Sequence, residues 1–183
     1  MKILALALLL IASVSMGMPA RASDSIQLRP ILSCTLADGS TAILEARSHG
    51  LDGDELFVQI DDKIERAFLD MPDSDFVGRV VMSKCVGQTL VFALEYGSPY
   101  LKGVAIRVNP RTHANERIYF AEKALPRWLY SGDREMLVVM PNTDKGTDKR
   151  YIVYRYVAGK GQPSESTPTD RLPVPKRQLI PIN

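Results

Sequence analysis

The chain has 183 residues, 45% of them apolar, with 23 Lys and Arg against 21 Asp and Glu, two cysteines and two histidines. A chain of this length makes one domain with a substantial core. The near balance of charge argues against a field that gathers nucleic acid or an anionic membrane, and two histidines exclude a three-histidine metal site within one chain.

The first residues carry one positive charge at Lys2, an apolar run from Ile3 to Val14, and small residues at Ala20 and Ala22. That order is a secretory signal peptide over residues 1–22, cleaved after Ala22. The twelve residues of the run fall short of the roughly 20 that cross a bilayer as a helix. No later run is longer or more apolar, so no transmembrane segment is expected in the mature chain, which is placed in the periplasm or outside the cell. Acylation at Cys34 is set aside, because Ile31-Leu-Ser-Cys34 lies far beyond the run and lacks a leucine three before the cysteine. Cleavage removes Lys2 and Arg21 and no acidic residue, so the formal charge of +2 becomes zero.

From Gln27 onward, short apolar runs of period two alternate with turn residues, the pattern of strands with one face inward. The spacing predicts strands near 26–36, 41–48, 55–61, 64–70, 76–85, 89–96, 103–109, 117–122, 134–140 and 150–158. Asp38-Gly39, Asp52-Gly53, Asn109-Pro110, Ser131-Gly132-Asp133 and Lys145-Gly146 punctuate them. Strands joined by short loops make an all-β meander, here a single antiparallel β-barrel or β-sandwich of about 8–10 strands over residues 23–158. Ile64, Ala67, Phe68 and Met71 also fit a helical face behind Asp62 and Glu65 as a capping box, but the turn at Asp61-Asp62-Lys63 favours a hairpin. In an oxidising compartment the pair Cys34 and Cys85 is expected to form one structural disulfide, the spacing being unlike a redox C-x-x-C. Residues 159–183 hold five of the twelve prolines and few large apolar residues, which predicts a disordered, Pro-rich flexible tail.

The nucleophile elbow, the zinc helix, the phosphate loop and the dinucleotide glycines are absent, and no cofactor or metal is expected. His49 with Asp52 and Asp54 offers three ligands on one loop, yet solvated turn residues explain the same letters. Asp52-Gly-Asp54 and Asp73-Ser-Asp75 begin like calcium loops but place Leu56 and Val77 where an oxygen ligand belongs. No carboxylate pair stands out as catalytic. The residues that do stand out are aromatic and basic: Tyr100 and Lys102 in the loop after Tyr96, and Arg127 and Trp128 in Pro126-Arg-Trp-Leu-Tyr130. Exposed residues of these types anchor interfaces and sugar sites, while buried they would be core.

The stretch from Ser33-Cys34 through Asp38-Gly39 to Leu44 resembles the opening of the periplasmic inhibitors of C-type lysozyme, which are small secreted β-barrels with an early cysteine. Gly97-Ser98-Pro99-Tyr100 departs in order from that family's Ser-Gly-x-x-Tyr inhibitory stretch, so no site residue carries over. The expectation is an exported bacterial envelope protein acting as a binding or inhibitor-like module for an envelope protein or a glycan. Its rivals are a small secreted hydrolase with an unrecognised carboxylate site and a structural envelope protein.

Overall fold

The computed structural model describes residues 27–143, 148–163 and 165–182; the expected signal peptide and the Lys145-Gly146 turn lie outside them. The strands are β1 Arg29–Thr35, β2 Thr41–Ser48, β3 Asp54–Ile60, β4 Lys63–Arg66, β5 Val77–Val86, β6 Thr89–Glu95, β7 Leu101–Val108, β8 Asn115–Glu122, β9 Trp128–Ser131, β10 Glu135–Pro141, β11 Tyr151–Val157, β12 Thr167–Thr169 and β13 Ile180–Pro181. All ten expected strands are present. The helical alternative over 64–71 is not taken: β4 pairs with β3 as a hairpin turned at Asp61, whose φ is 52°.

Two antiparallel sheets result, and neither closes into a barrel. The first runs β1-β2-β3-β5-β6-β7-β8, with β4 also on β3; the second runs β12-β11-β10-β9-β13. The first sheet folds over on itself where β3 meets β5 through only two residue pairs, Asp54 with Gly78 and Glu55 with Val77. Glycine is required there. A Cβ on Gly78 would lie 2.0 Å from the Glu95 carbonyl oxygen, and one on Gly53, whose φ is 112°, would lie 2.3 Å from the Gly78 carbonyl oxygen. Cys34 on β1 and Cys85 on β5 form the disulfide that ties the two halves of this folded sheet, with Cα atoms 5.4 Å apart. Its closed loop stabilises the fold by about 4 kcal/mol in the chain-entropy model.

Alternation on β6 explains the layering. Leu90, Phe92 and Leu94 face a first core with Leu44, Leu56 and Val58 of the opposite half-sheet, whereas Val91 and Ala93 face a second core with Leu129, Met136 and Val138 of the second sheet. The half-sheet β5–β8 is therefore the middle layer, covered on both sides. A buried polar joint pins it to the second sheet: Arg107 reaches Glu116 Oε2 through Nε at 2.8 Å and donates from Nη1 to Ser131 Oγ at 2.8 Å. Asn109 Nδ2 donates to Glu116 Oε1 at 2.7 Å and to the Asp133 carbonyl at 3.0 Å.

The outer face of the second sheet carries Trp128, Leu137, Val139 and Val153, and its cover corrects the expectation of a flexible tail. The described part of 159–183 is docked. β12 pairs with β11, β13 pairs with β9, and the Ile182 amide donates to the Arg127 carbonyl at 3.0 Å. Leu172, Val174 and Leu179 pack on the outer face while Ile182 enters the second core. Widely spaced anchors suffice because the sheet supplies the apolar partner that the segment's own composition lacks. Leu179→Ala should cost about 2–4 kcal/mol in urea unfolding, the usual penalty for a buried leucine. A change near zero would mean that the segment is not held.

Candidate functional site

A cleft of about 430 Å³ between the two sheets is lined by Asp70, Lys102, Tyr119, Phe120, Ala121, Tyr154, Gln162 and Pro163. It sits at the seam where β8, the edge of the first sheet, meets β11. An open edge strand presents unpaired amides and carbonyls. Here side chains satisfy them. The Gln162 amide imitates a neighbouring strand at Tyr119, donating from Nε2 to its carbonyl at 2.7 Å and accepting from its amide at 2.9 Å. The Tyr154 hydroxyl occupies the next outward position, 3.5 Å from the Ala121 amide and 3.4 Å from its carbonyl, and donates to Glu122 Oε1 at 2.9 Å.

Lys102 is the second residue of β7, on the same face as Val104, Ile106 and Val108. It therefore points into the open end of the first core, not into the preceding loop. Its ammonium lies 5.8, 5.4 and 5.9 Å from the ring centroids of Phe68, Phe76 and Tyr119 and pairs with Asp70. Only 4% of the side chain is exposed. A buried ammonium needs a counter-charge, and the aromatic faces add electrostatic attraction. The pair holds the 67–76 connection against β7 and forms one end of the cleft.

The four residues expected to share a binding surface are not assembled into one. Tyr100 is exposed at the end of the β6–β7 loop, one residue beyond the pairing of Leu101 with Glu122, with Lys123 Nζ 5.3 Å from its ring centroid. Trp128 is 9% exposed and belongs to the outer core of the second sheet, edge-on to Tyr151 at 5.8 Å, with the exposed Arg127 guanidinium over its ring at 4.7 Å. Lys102 alone of the four lines the cleft. Sequence reasoning missed Asp70, placed in a strand, and Gln162, placed in the tail. Neither carries a local signal, since long-range contacts give each its role.

Other weighed constellations resolve into ion pairs. His49 Nε2 lies 3.2 Å from Glu55 Oε2, and Asp54 pairs with Arg29 at 3.1 Å, so His49, Asp52 and Asp54 are not gathered as ligands. Asp75 pairs with Arg66 at 3.0 Å. Among the described residues no three His, Cys, Asp or Glu side chains stand close enough to hold a metal.

Burial, the charge of Glu122 and the hydrogen bond to it push the Tyr154 phenol up to about 12. The cleft therefore presents it as a neutral donor at ordinary pH. An unfolded tyrosine ionises near pH 10, so the folded state holds this proton more tightly. The contribution is present in full below about pH 10 and is lost as pH rises towards 12. An ultraviolet difference titration should find one of the seven tyrosines ionising late, and Tyr154→Phe should remove that late step. Ionisation of all seven near the ordinary value would contradict the geometry at Glu122.

No protein-family model, curated protein or solved structure matches the chain.

Proposed function

We propose that the chain is an exported binding protein of the bacterial envelope and that it holds a glycan in the cleft at the sheet seam. The observation that carries this reading is the cleft itself, whose walls are fixed before any ligand arrives. Gln162 and Tyr154 are bonded to the β8 backbone, and Lys102 is locked between Asp70 and three rings. A preformed site avoids the ordering cost that loop-built sites incur on binding. Its volume of about 430 Å³ lies within the range of small-ligand sites, and it is enough for one or two sugar rings. Tyr119 and Tyr154 offer ring surface to the apolar face of a sugar.

Export is supported by the signal-peptide pattern of residues 1–22 and by the disulfide of the folded domain, which suits an oxidising compartment. Catalysis by paired carboxylates finds less support. Glycoside hydrolysis needs two carboxyl groups facing each other across the bond, whereas Asp70 is the one carboxylate among the lining residues and is already committed to Lys102. A neutral Tyr154 is a poor general base.

Ala121 is exposed on the cleft wall, so Ala121→Trp fills the site without disturbing a core. On an array of bacterial envelope polysaccharides and peptidoglycan fragments, the wild-type protein should retain at least one glycan and the variant should lose it. Retention unaffected by the tryptophan, or no retained glycan at all, would overturn the proposal.

A further inference from the structure

The balanced charge of the mature chain conceals a separation. Residues 27–122 carry ten basic and fourteen acidic side chains, and residues 123–183 carry eleven basic and six acidic. The first segment builds the first sheet, and the second builds the second sheet with its C-terminal cover. The path of that cover decides where the excess cations go. β12 lies on one edge of the second sheet and β13 on the other, so residues 170–179 cross its outer face from edge to edge. At the usual strand spacing the five strands span about 19 Å.

Along the crossing, Leu172, Val174 and Leu179 pack inward on Trp128, Leu137, Val139 and Val153, whereas Arg171, Lys176 and Arg177 are exposed. Pro173 and Pro175 fix φ and hold the backbone extended, so the segment lies flat on the sheet. At the β9 edge the exposed Arg127 lays its guanidinium 4.7 Å over the Trp128 ring, which belongs to the same outer cluster. Among the described residues no carboxylate stands within ion-pair distance of Arg127, Arg171, Lys176 or Arg177. The acids of this face are Glu135, paired with Arg155 at 3.0 Å, Asp170, paired with Lys149 at 2.6 Å, and Glu165. Asp148 and Arg150, beside Lys149, add one charge of each sign. Two of the acids are therefore matched, and Glu165 alone stands against four unmatched cations.

We propose that this cationic cover is a docking face for an anionic bilayer surface, with phospholipid phosphates as the partner groups. The spread of the charges decides between a bilayer and a discrete anion. A single phosphate is held by donors that converge on one point, whereas these four are strung across the width of a sheet. A plane of headgroups meets all of them at once, and each Lys or Arg at such a surface strengthens attachment about fivefold. The acids of the first sheet do not cancel the field. Eleven of the fourteen fall in residues 27–76, which build the half-sheet two layers away. Two packed layers place them about 20 Å off, more than twice the Debye length of about 8 Å at physiological salt. Val153 and Tyr154 point to opposite sides of β11, so the face is separate from the glycan cleft and does not depend on that reading.

Co-sedimentation of the mature protein with vesicles of phosphatidylglycerol and phosphatidylcholine in equal parts, and with phosphatidylcholine alone, tests this. The wild-type protein should bind the anionic vesicles and not the neutral ones, and raised salt should release it. K176Q/R177Q should lower the partition coefficient about 25-fold, the product of two fivefold factors, with circular dichroism unchanged. K63Q/R79Q removes the same charge from the first sheet, at side chains 78% and 77% exposed, and should bind as the wild type does. No binding to the anionic vesicles, equal binding to the neutral ones, or equal losses in the two double variants would overturn the proposal. Capture by dextran sulfate in solution without attachment to the vesicles would assign the face to a linear polyanion, and would overturn it as well.

Discussion

Strands β6 and β7 are buried on both faces, and the rest of the fold follows from that constraint. Along β6 from Thr89 to Leu94 every side chain is buried, and along β7 from Lys102 to Val108 likewise. Such strands must have an apolar layer on each side. One layer is supplied by the same sheet, which bends back at Gly53 and Gly78 and is tied by Cys34 and Cys85. The other is the second sheet. That sheet would in turn expose Trp128, Leu137 and Val139, and the C-terminal segment covers them.

Charged groups close the layers where apolar side chains run out. Lys102 ends the first core with Asp70 and three rings, and Arg107 with Glu116 joins the middle layer to the β9–β10 turn. Glu55 sits among Arg47, His49 and Arg66 at the entrance of the first half-sheet. Buried charges contribute little net stability when paired, but removing one partner is costly. Room for the joints comes from small residues as well. Gly103 stands opposite Phe120, whose ring occupies the space a Cβ would take, 2.2 Å away.

Much of this was legible in the residues. Alternation such as Ile152, Tyr154, Tyr156 marks a half-buried strand, and two cysteines in the chain, Cys34 and Cys85, leave one possible pairing for an intramolecular disulfide. Three strands were not legible. β9 is four residues long within Pro126-Arg-Trp-Leu-Tyr130, too short for alternation to show, and β12 and β13 are formed by three and two residues around prolines. Their pairing is decided by the edges of β11 and β9 and not by local propensity. The cleft was hidden for the same reason. Lys102 was recognised as notable, but its partner Asp70 is 32 residues away and Gln162 stands 43 residues from Tyr119. Trp128, conspicuous as the one tryptophan, proved to be core.

The site thus depends on the layering: the cleft exists because the β8 edge is capped by side chains of the second sheet, and it keeps its shape only while the two sheets open together. Native-state hydrogen exchange measures that directly. The amides of β6 and β7, those of β10, and the Tyr119 amide bonded by Gln162 should exchange through one common opening, with the same free energy and denaturant dependence. Exchange of β10 and Tyr119 at a distinctly lower free energy than β6 would show that the second sheet detaches by itself, and would contradict a site built into the seam.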